Sequence, residues 1–522
     1  MCSEPSLQFL SAGLSGIYSL ASMRQLGLRA RVLERANNVG GVWYWNRYPG
    51  ARFDSESYTY GFSFSQPVLD KWHWKEHYSA QPETLEYINF VVDELGLRSG
   101  FQFNTEVKSA HYQEDSRSWL VTDATDAIYT SRFLINGLGP LTTPQLPNIP
   151  GIDRYKGTAF EGKRVGVIGT GATGIQVIQE VAKTAERLFV FQRTPNWTAP
   201  MRNADISAEE MEEIRKDYPN IFKRCKTSPM AFQYSPDKHK VSDVSREERE
   251  AFWWDLYSRR GLVKWLGNFH DIFTDQEAND LFSAWMADRV RERVHDPVIA
   301  EKLIPLNDHG FGTRRVPLET GYYEIFNQSN VSLVDLQETP IQEVTPTGIR
   351  TIADEDEYAL DVLIYATGFD ALTGSYEQID YRGLNGLKLS EKWENGPKTY
   401  LGFTVPDFPN MFNVLGPHQG SGNIPRSIEY AVEWVARCIK YCADNGFTYV
   451  CAQKGEVEWT KHVLQCTEGQ LSAKVNSWMT GYNSNKPTKT ERMVVRYTGS
   501  LVEFRRRCEQ VADDGYPHIT FN

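Results

Sequence analysis

Two stretches of the chain repeat one arrangement of apolar and polar positions. In the clearer one, Arg164–Ile168 is a short apolar run, Ile175, Ile178, Val181, Ala182 and Ala185 then recur at helical spacing, and 188–191 is apolar again. That order predicts strand, helix and strand in succession. The earlier stretch follows the same order: Leu7–Leu10, then Ile17, Leu20, Met23 and Leu26 at helical spacing, then 31–33. Residues 87–141 are patterned as a helix and several short strands, and 205–306 as charge-rich helices whose Trp253, Trp254, Trp265 and Trp285 are expected in a core. A buried strand from Asp361 runs into the small-residue turn Ala366-Thr367-Gly368. Pro144, Pro147 and Pro150 mark a hinge, since proline continues neither a helix nor a central strand.

The turns inside the two repeats carry the chemistry. Gly169, Gly171 and Gly174 give G-x-G-x-x-G between strand and helix. The first glycine allows the tight turn, the second lets backbone approach a pyrophosphate, and the third lets helix and strand pack closely. The helix N-terminus then offers N–H groups and a positive dipole end to the anion. The earlier turn is a degraded copy, Ser11, Gly13 and Gly16. If its first position needs positive φ, the serine costs about 1–2 kcal/mol. The first repeat ends in Glu34, the acid expected on an adenosine ribose, whereas the second ends in Arg193 and Thr194. An arginine there suits a 2′-phosphate through paired charge-assisted hydrogen bonds. The expected fold is α/β, with two Rossmann-like dinucleotide-binding domains, one for FAD and one for NADP, and an inserted helical subdomain.

Length divides this plan further. A chain of 522 residues exceeds a single core. We place an FAD-binding domain at 1–151 and 361–522, an NADP-binding domain at 152–204 and 311–360, and the helical insertion at 205–310. A net charge of −11 without a basic block argues against nucleic-acid binding. The sequence holds no apolar run near about twenty residues and no signal-peptide pattern at its start, so no transmembrane segment and a cytoplasmic location are expected. The seven cysteines are scattered; Cys438 and Cys442 stand four apart without a second pair or nearby histidine, so no metal site is expected. After Glu34 come Gly40, Gly41, Trp43, Tyr44 and Trp45. The glycines allow close backbone approach, and the aromatics either pack on a flat ligand or form core. Asp54, set among Arg47, Arg52 and aromatics, is a candidate for orienting a cationic catalytic group.

An early fingerprint ending in Glu and a later one ending in Arg imply FAD and NADPH held against each other. With the run G-G-V-W-Y-W-N-R-Y-P-G-A-R-x-D, the Ala366-Thr367-Gly368 turn and Phe311-Gly-Thr-Arg314-Arg315, the chain resembles the Baeyer–Villiger monooxygenases of the phenylacetone and cyclohexanone group along nearly its whole length. The resemblance implies NADPH-dependent insertion of one oxygen atom of O2 beside the carbonyl of a small-molecule ketone, giving an ester or lactone. It places the active-site pair on Asp54 and Arg315, the 2′-phosphate contacts on Arg193 and Arg314, and the loop that folds over NADP on Trp478. Gln419 to Arg426 would line the flavin's far side. One departure stands out. The family signature F-x-G-x-x-x-H-x-x-x-W begins here at Tyr155 and Gly157 but runs from Phe160 straight into Glu161, without the His and Trp. Two other readings stay open: a related flavin enzyme that oxygenates nitrogen or sulfur, and a truncated, poorly coupled or inactive flavoprotein.

Overall fold

The first repeat opens with β1 (Leu7–Leu10), buried at every position, followed by α1 (Leu14–Gln25) and β2 (Ala30–Leu33). Ile17, Leu20 and Met23 are inaccessible, as their spacing requires, while Leu26 lies past the helix end and is partly exposed. β3 (Phe101–Gln102) and β4 (Phe133–Asn136) belong to the same sheet. The second repeat is β5 (Arg164–Ile168), α2 (Ala172–Val181) and β6 (Arg187–Gln192), completed by β7 (Val331–Asp335) and β8 (Val362–Tyr365). The chain then returns to the first sheet with β9 (Met411–Asn413), and α3 (Ile424–Asn445) packs on α1. This computed structural model describes residues 7–152, 160–352, 357–452, 455–483, 486 and 489–522. The signature segment beginning at Tyr155 lies almost wholly outside the described residues.

Both sheets are parallel, in the orders β9-β4-β1-β2-β3 and β7-β6-β5-β8. In each, the strand that opens the repeat is central and the order reverses beside it, which leaves a crevice at the carboxyl ends of the strands. One expectation needs correction. The sequence pattern places the segment from 361 onward wholly in the first domain, but β8 pairs in register with β5, Val362 opposite Val165 and Tyr365 opposite Ile168. The reason is coverage: β8 shields the open flank of β5, so the crossing back falls after Tyr365 rather than before Asp361.

That crossing lies against the outward one. Gln145 N–H donates to the Gly368 carbonyl at 2.8 Å, Asp370 N–H to the Thr143 carbonyl at 2.9 Å, and the Thr367 hydroxyl to the Gln145 carbonyl at 2.6 Å. The proline-rich hinge and the Ala366–Gly368 turn are thus two strands of one connection. In the insertion, helices Ala208–Thr227, Arg246–Ser258, Gln276–Arg293 and Pro297–Leu303 begin at Ser207, Ser245, Asp275 and Asp296, whose side chains accept backbone N–H groups. The insertion has no core of its own. Met211, Tyr218 and Ile221 join the apolar cluster of the first sheet, and Trp253, Phe282 and Trp285 join that of the second.

Candidate active site

The two glycine turns are built alike, and the degraded one keeps the strained conformation. Ser11 has φ +87°, where Gly169 has φ +108°. A Cβ on Gly16 would lie 2.0 Å from the Ser11 carbonyl oxygen, and one on Gly174 2.1 Å from that of Gly169, so the third glycine is obligatory in both turns. No side chain caps α1 or α2, whose N-caps are Gly13 and Gly171, so their leading N–H groups point to whatever anion binds there. A Cβ on Gly171 would meet nothing within 4 Å, which leaves that turn open to a pyrophosphate. Gly41, expected to approach a ligand, is first of all pressed on the other turn: its Cβ would lie 2.7 Å from the Gly13 Cα. Glu34 is buried and accepts from the amides of Ala12 (2.6 Å) and Ala36 (2.9 Å), which fixes its carboxylate under the first turn.

Of Trp43, Tyr44 and Trp45, only the first joins the core. Trp43 is buried edge-on against Phe53 and Tyr60 and donates from Nε1 to the Tyr60 hydroxyl at 2.8 Å. Trp45 faces out under Arg35, and Tyr44 lies under Arg47.

At the end of β6, Arg193 is exposed and Arg314 half buried, with Asp308 between them in charge. Arg314 pairs with Asp308 at 2.9 Å, and the His309 ring reaches the same carboxylate at 2.6 Å. Burial pushes the Asp308 carboxyl up, but the His309 hydrogen bond and the charges of Arg314, His309 and Arg193 outweigh it and hold it below the ordinary value. Burial and the Arg193 charge lower Arg314 against the pull of Asp308, and its Nε is buried without a partner. Two guanidinium groups facing one carboxylate leave room in the charge balance for a phosphate. Thr194 contributes its carbonyl to the Thr170 hydroxyl at 2.8 Å, tying the end of β6 to the second turn.

Asp54 and Arg315, 261 residues apart, meet across the units: Arg315 Nη2 donates to Asp54 Oδ2 at 2.7 Å. The carboxylate side chain is 7% exposed and the guanidinium 37%, so one partner is enclosed and the other partly open. Burial raises the Asp54 carboxyl; the charge and hydrogen bond of Arg315, then the Leu318 amide and Arg52, pull it back only in part. Trp265 lies 5.8 Å beneath the Arg315 guanidinium, so this tryptophan, expected only as core, also borders the pair. Asn196 donates to the Arg315 carbonyl at 3.1 Å. Asp308, His309 and Asn196 carried no signal in the sequence, as isolated polar residues in no motif. Trp478 is 41% exposed on a short turn capped by Ser477, in the segment whose Asn483 and Lys489 reach Gln145 and Asp370 at the hinge. Gln419 is buried, donating to the carbonyls of Gly402 and Asn413.

Two dinucleotide turns, one followed by Glu34 and one by Arg193, with an arginine held on a buried carboxylate between their units, are the architecture of a flavoprotein monooxygenase driven by a reduced nicotinamide. Residues 6–206 match the family described as flavin-binding monooxygenase-like. The chain is 44% identical to the 2-oxo-Δ3-4,5,5-trimethylcyclopentenylacetyl-CoA monooxygenase of Pseudomonas putida, over 97% of this chain and 96% of that one. It is 38% identical to the cyclohexanone 1,2-monooxygenase of an Acinetobacter species, over 97% and 95%. A crystal structure titled OTEMO in complex with FAD and NADP superposes with a TM-score of 0.95 at 43% identity, covering all of both chains. The chain belongs to the Baeyer–Villiger monooxygenases.

Proposed function

We propose that Asp54 and Arg315 are the catalytic pair of an FAD- and NADPH-dependent oxygen insertion into a small-molecule ketone. The observation that carries this is the 2.7 Å bond that anchors an arginine of one unit to a buried carboxylate of the other. FAD, once reduced by NADPH, supplies activated O2: one oxygen atom enters the product as an ester or lactone and the other leaves as water. The chain's own residues then have separate tasks. Gly13, Gly16, Gly41 and Glu34 seat the adenosine diphosphate part of FAD, with Trp43 packed behind that loop. Gly169, Gly171, Gly174 and Thr194 seat NADPH, and Arg193 and Arg314 take its 2′-phosphate. Arg315, permanently charged and planar, faces the oxygen on which negative charge grows, where a preorganised donor lowers the barrier. Asp54 fixes its direction. Trp478 covers the nicotinamide side, which excludes water from the reacting atoms.

Incubation of the FAD-loaded chain with NADPH, O2 and either cyclohexanone or a thioether tests this reading. Lactone is the expected product; sulfoxide with no lactone, or hydrogen peroxide alone, would reject it. The cyclic ketone is chosen because a relative named for cyclohexanone is 38% identical. We place the enzyme in the cytoplasm. Among the described residues no helix is long and apolar enough to cross a membrane, and six cysteines are unpaired thiols.

Two further results are expected. Ser11 sits at φ +87°, so Ser11→Gly removes a left-handed strain of about 1–2 kcal/mol and should make FAD stay bound through desalting at higher temperature. Unchanged retention would mean that the turn relaxes around the serine without cost. The second concerns the short passage from Pro150 to Glu161. Insertion after Phe160 of a family-length linker with its His and Trp should raise ester formed per NADPH oxidised, because closure over the flavin needs both reach and an ordered interface. Identical coupling in the two proteins would make that linker dispensable.

A further inference from the structure

Helix α2 is buried on more than its apolar face. Its apolar stripe, Ile175, Ile178 and Val181, lies on the second sheet, but Gln176 and Gln179, on another side, are buried as well. Glutamine is seldom buried without using both ends of its amide. Gln176 Nε2 donates to the Arg52 carbonyl at 3.0 Å, and its Oε1 accepts from the Tyr48 hydroxyl at 2.9 Å. Gln179 Oε1 accepts from the Thr320 N–H at 2.5 Å, while its Nε2 returns to the Ile175 carbonyl of its own helix at 2.8 Å. Residues three apart share a helix face. One face of α2 therefore grips two separate pieces of chain.

Those pieces carry the active-site pair. The Arg52 carbonyl is two residues before Asp54, and Thr320 is five after Arg315. A third, independent contact shows how tightly the first piece is held. Gly50, at φ +79°, lies so near α2 that a Cβ there would be 2.5 Å from the Gln176 carbonyl oxygen and 2.9 Å from the Glu180 Cγ. The segment 48–52 thus rests on the helix backbone itself. Burial raises the Tyr48 phenol, with the Thr173 hydroxyl opposing and the Asp54 charge adding to it, so it remains a donor to Gln176. A cleft of about 250 Å³ lined by Arg52, Gln176, Gln179, Asn203 and Thr320 marks the same seam.

We propose that Gln176, supported by Gln179 one turn on, is a positioning residue for oxygen insertion: it sets the Asp54 segment and the Arg315 segment in register on the helix that begins at the NADP turn. Seating of the nicotinamide cofactor and alignment of the charge pair then share one rigid element. The inference rests on the assignment of Asp54 and Arg315 as the catalytic pair. It predicts a defect in coupling rather than in cofactor binding, because Gln176 points away from the glycine turn toward the Asp54 loop.

The test uses the FAD-loaded enzyme with Gln176→Met, which keeps length and packing but removes both hydrogen bonds, and Gln176→Glu, which keeps the acceptor for Tyr48 and loses the donor to Arg52. Tyr48→Phe breaks one bond without touching the helix, and serves if the first variant does not fold. Misplacement of a catalytic group by about 1 Å costs up to ~100-fold, so a partial loss of register in Gln176→Met should lower ester per NADPH by about 5- to 20-fold. The missing NADPH equivalents should appear as hydrogen peroxide, with KM for NADPH within about twofold of wild type and Gln176→Glu falling between the two proteins. Full coupling in Gln176→Met, or in Tyr48→Phe where that variant alone folds, overturns the proposal, as does a raised KM for NADPH with coupling intact. Arg315→Ala run alongside separates the two readings. If that variant still makes ester, the catalytic assignment has failed, whatever Gln176 does.

Discussion

Arg315→Ala is expected to yield a protein that folds, holds FAD and oxidises NADPH but makes ester at least about 10²- to 10³-fold more slowly, the usual cost of removing one preorganised donor from a dry site. The backbone at this position is held independently, by Asn196 on the Arg315 carbonyl, so truncation removes charge without releasing the segment. The variant also strands the Asp54 carboxyl, which burial already pushes up and Arg315 pulls down; without the guanidinium it rises further and takes up a proton at higher pH. Ester and hydrogen peroxide measured together against NADPH give the result. Undiminished ketone oxidation would remove Arg315 from the centre. Thioether oxygenation that survives while ester is lost would show that the arginine serves the carbonyl chemistry in particular.

Loss of Arg193 should act on the other substrate. Charge-assisted hydrogen bonds contribute about 1.5–3 kcal/mol, so Arg193→Ala should weaken NADPH by roughly ten- to a hundredfold. NADH, which has no 2′-phosphate, should be nearly unaffected. Arg193 is exposed at the end of β6, and its carbonyl is held by Gln337 Nε2 at 2.9 Å, so the backbone should not follow the side chain. Arg314 differs: it is half buried and paired with Asp308, and its loss would remove the guanidinium bonded to that carboxylate. Titration of each variant with both nucleotides checks this. Equal losses for NADPH and NADH in Arg193→Ala would mean that the residue supports the fold.

What could be read from sequence was what is local. A strand, a glycine turn and a helix lie within some thirty residues of one another, and their spacing is dictated by backbone geometry. The left-handed position at Ser11 was therefore foreseeable even though the residue there is not glycine. The Asp54–Arg315 pair was reachable only through resemblance, because nothing in spacing joins residues 261 positions apart. The placement of β8 escapes the sequence for a related reason: a short apolar run does not say which of two similar sheets it completes. Gln176 was invisible. It falls where helical spacing predicts a solvated side chain, and only the packing of the Gly50 loop on that face makes it interior.

The doubled connection at Thr143–Gln145 and Gly368–Asp370 works like the two leaves of a door hinge. Leaves bonded edge to edge resist sliding and splaying, and yield to twist about their common length. The two crossings between the nucleotide units are therefore tied to each other, and neither stands alone. A nick in one leaf should leave the other still carrying the door.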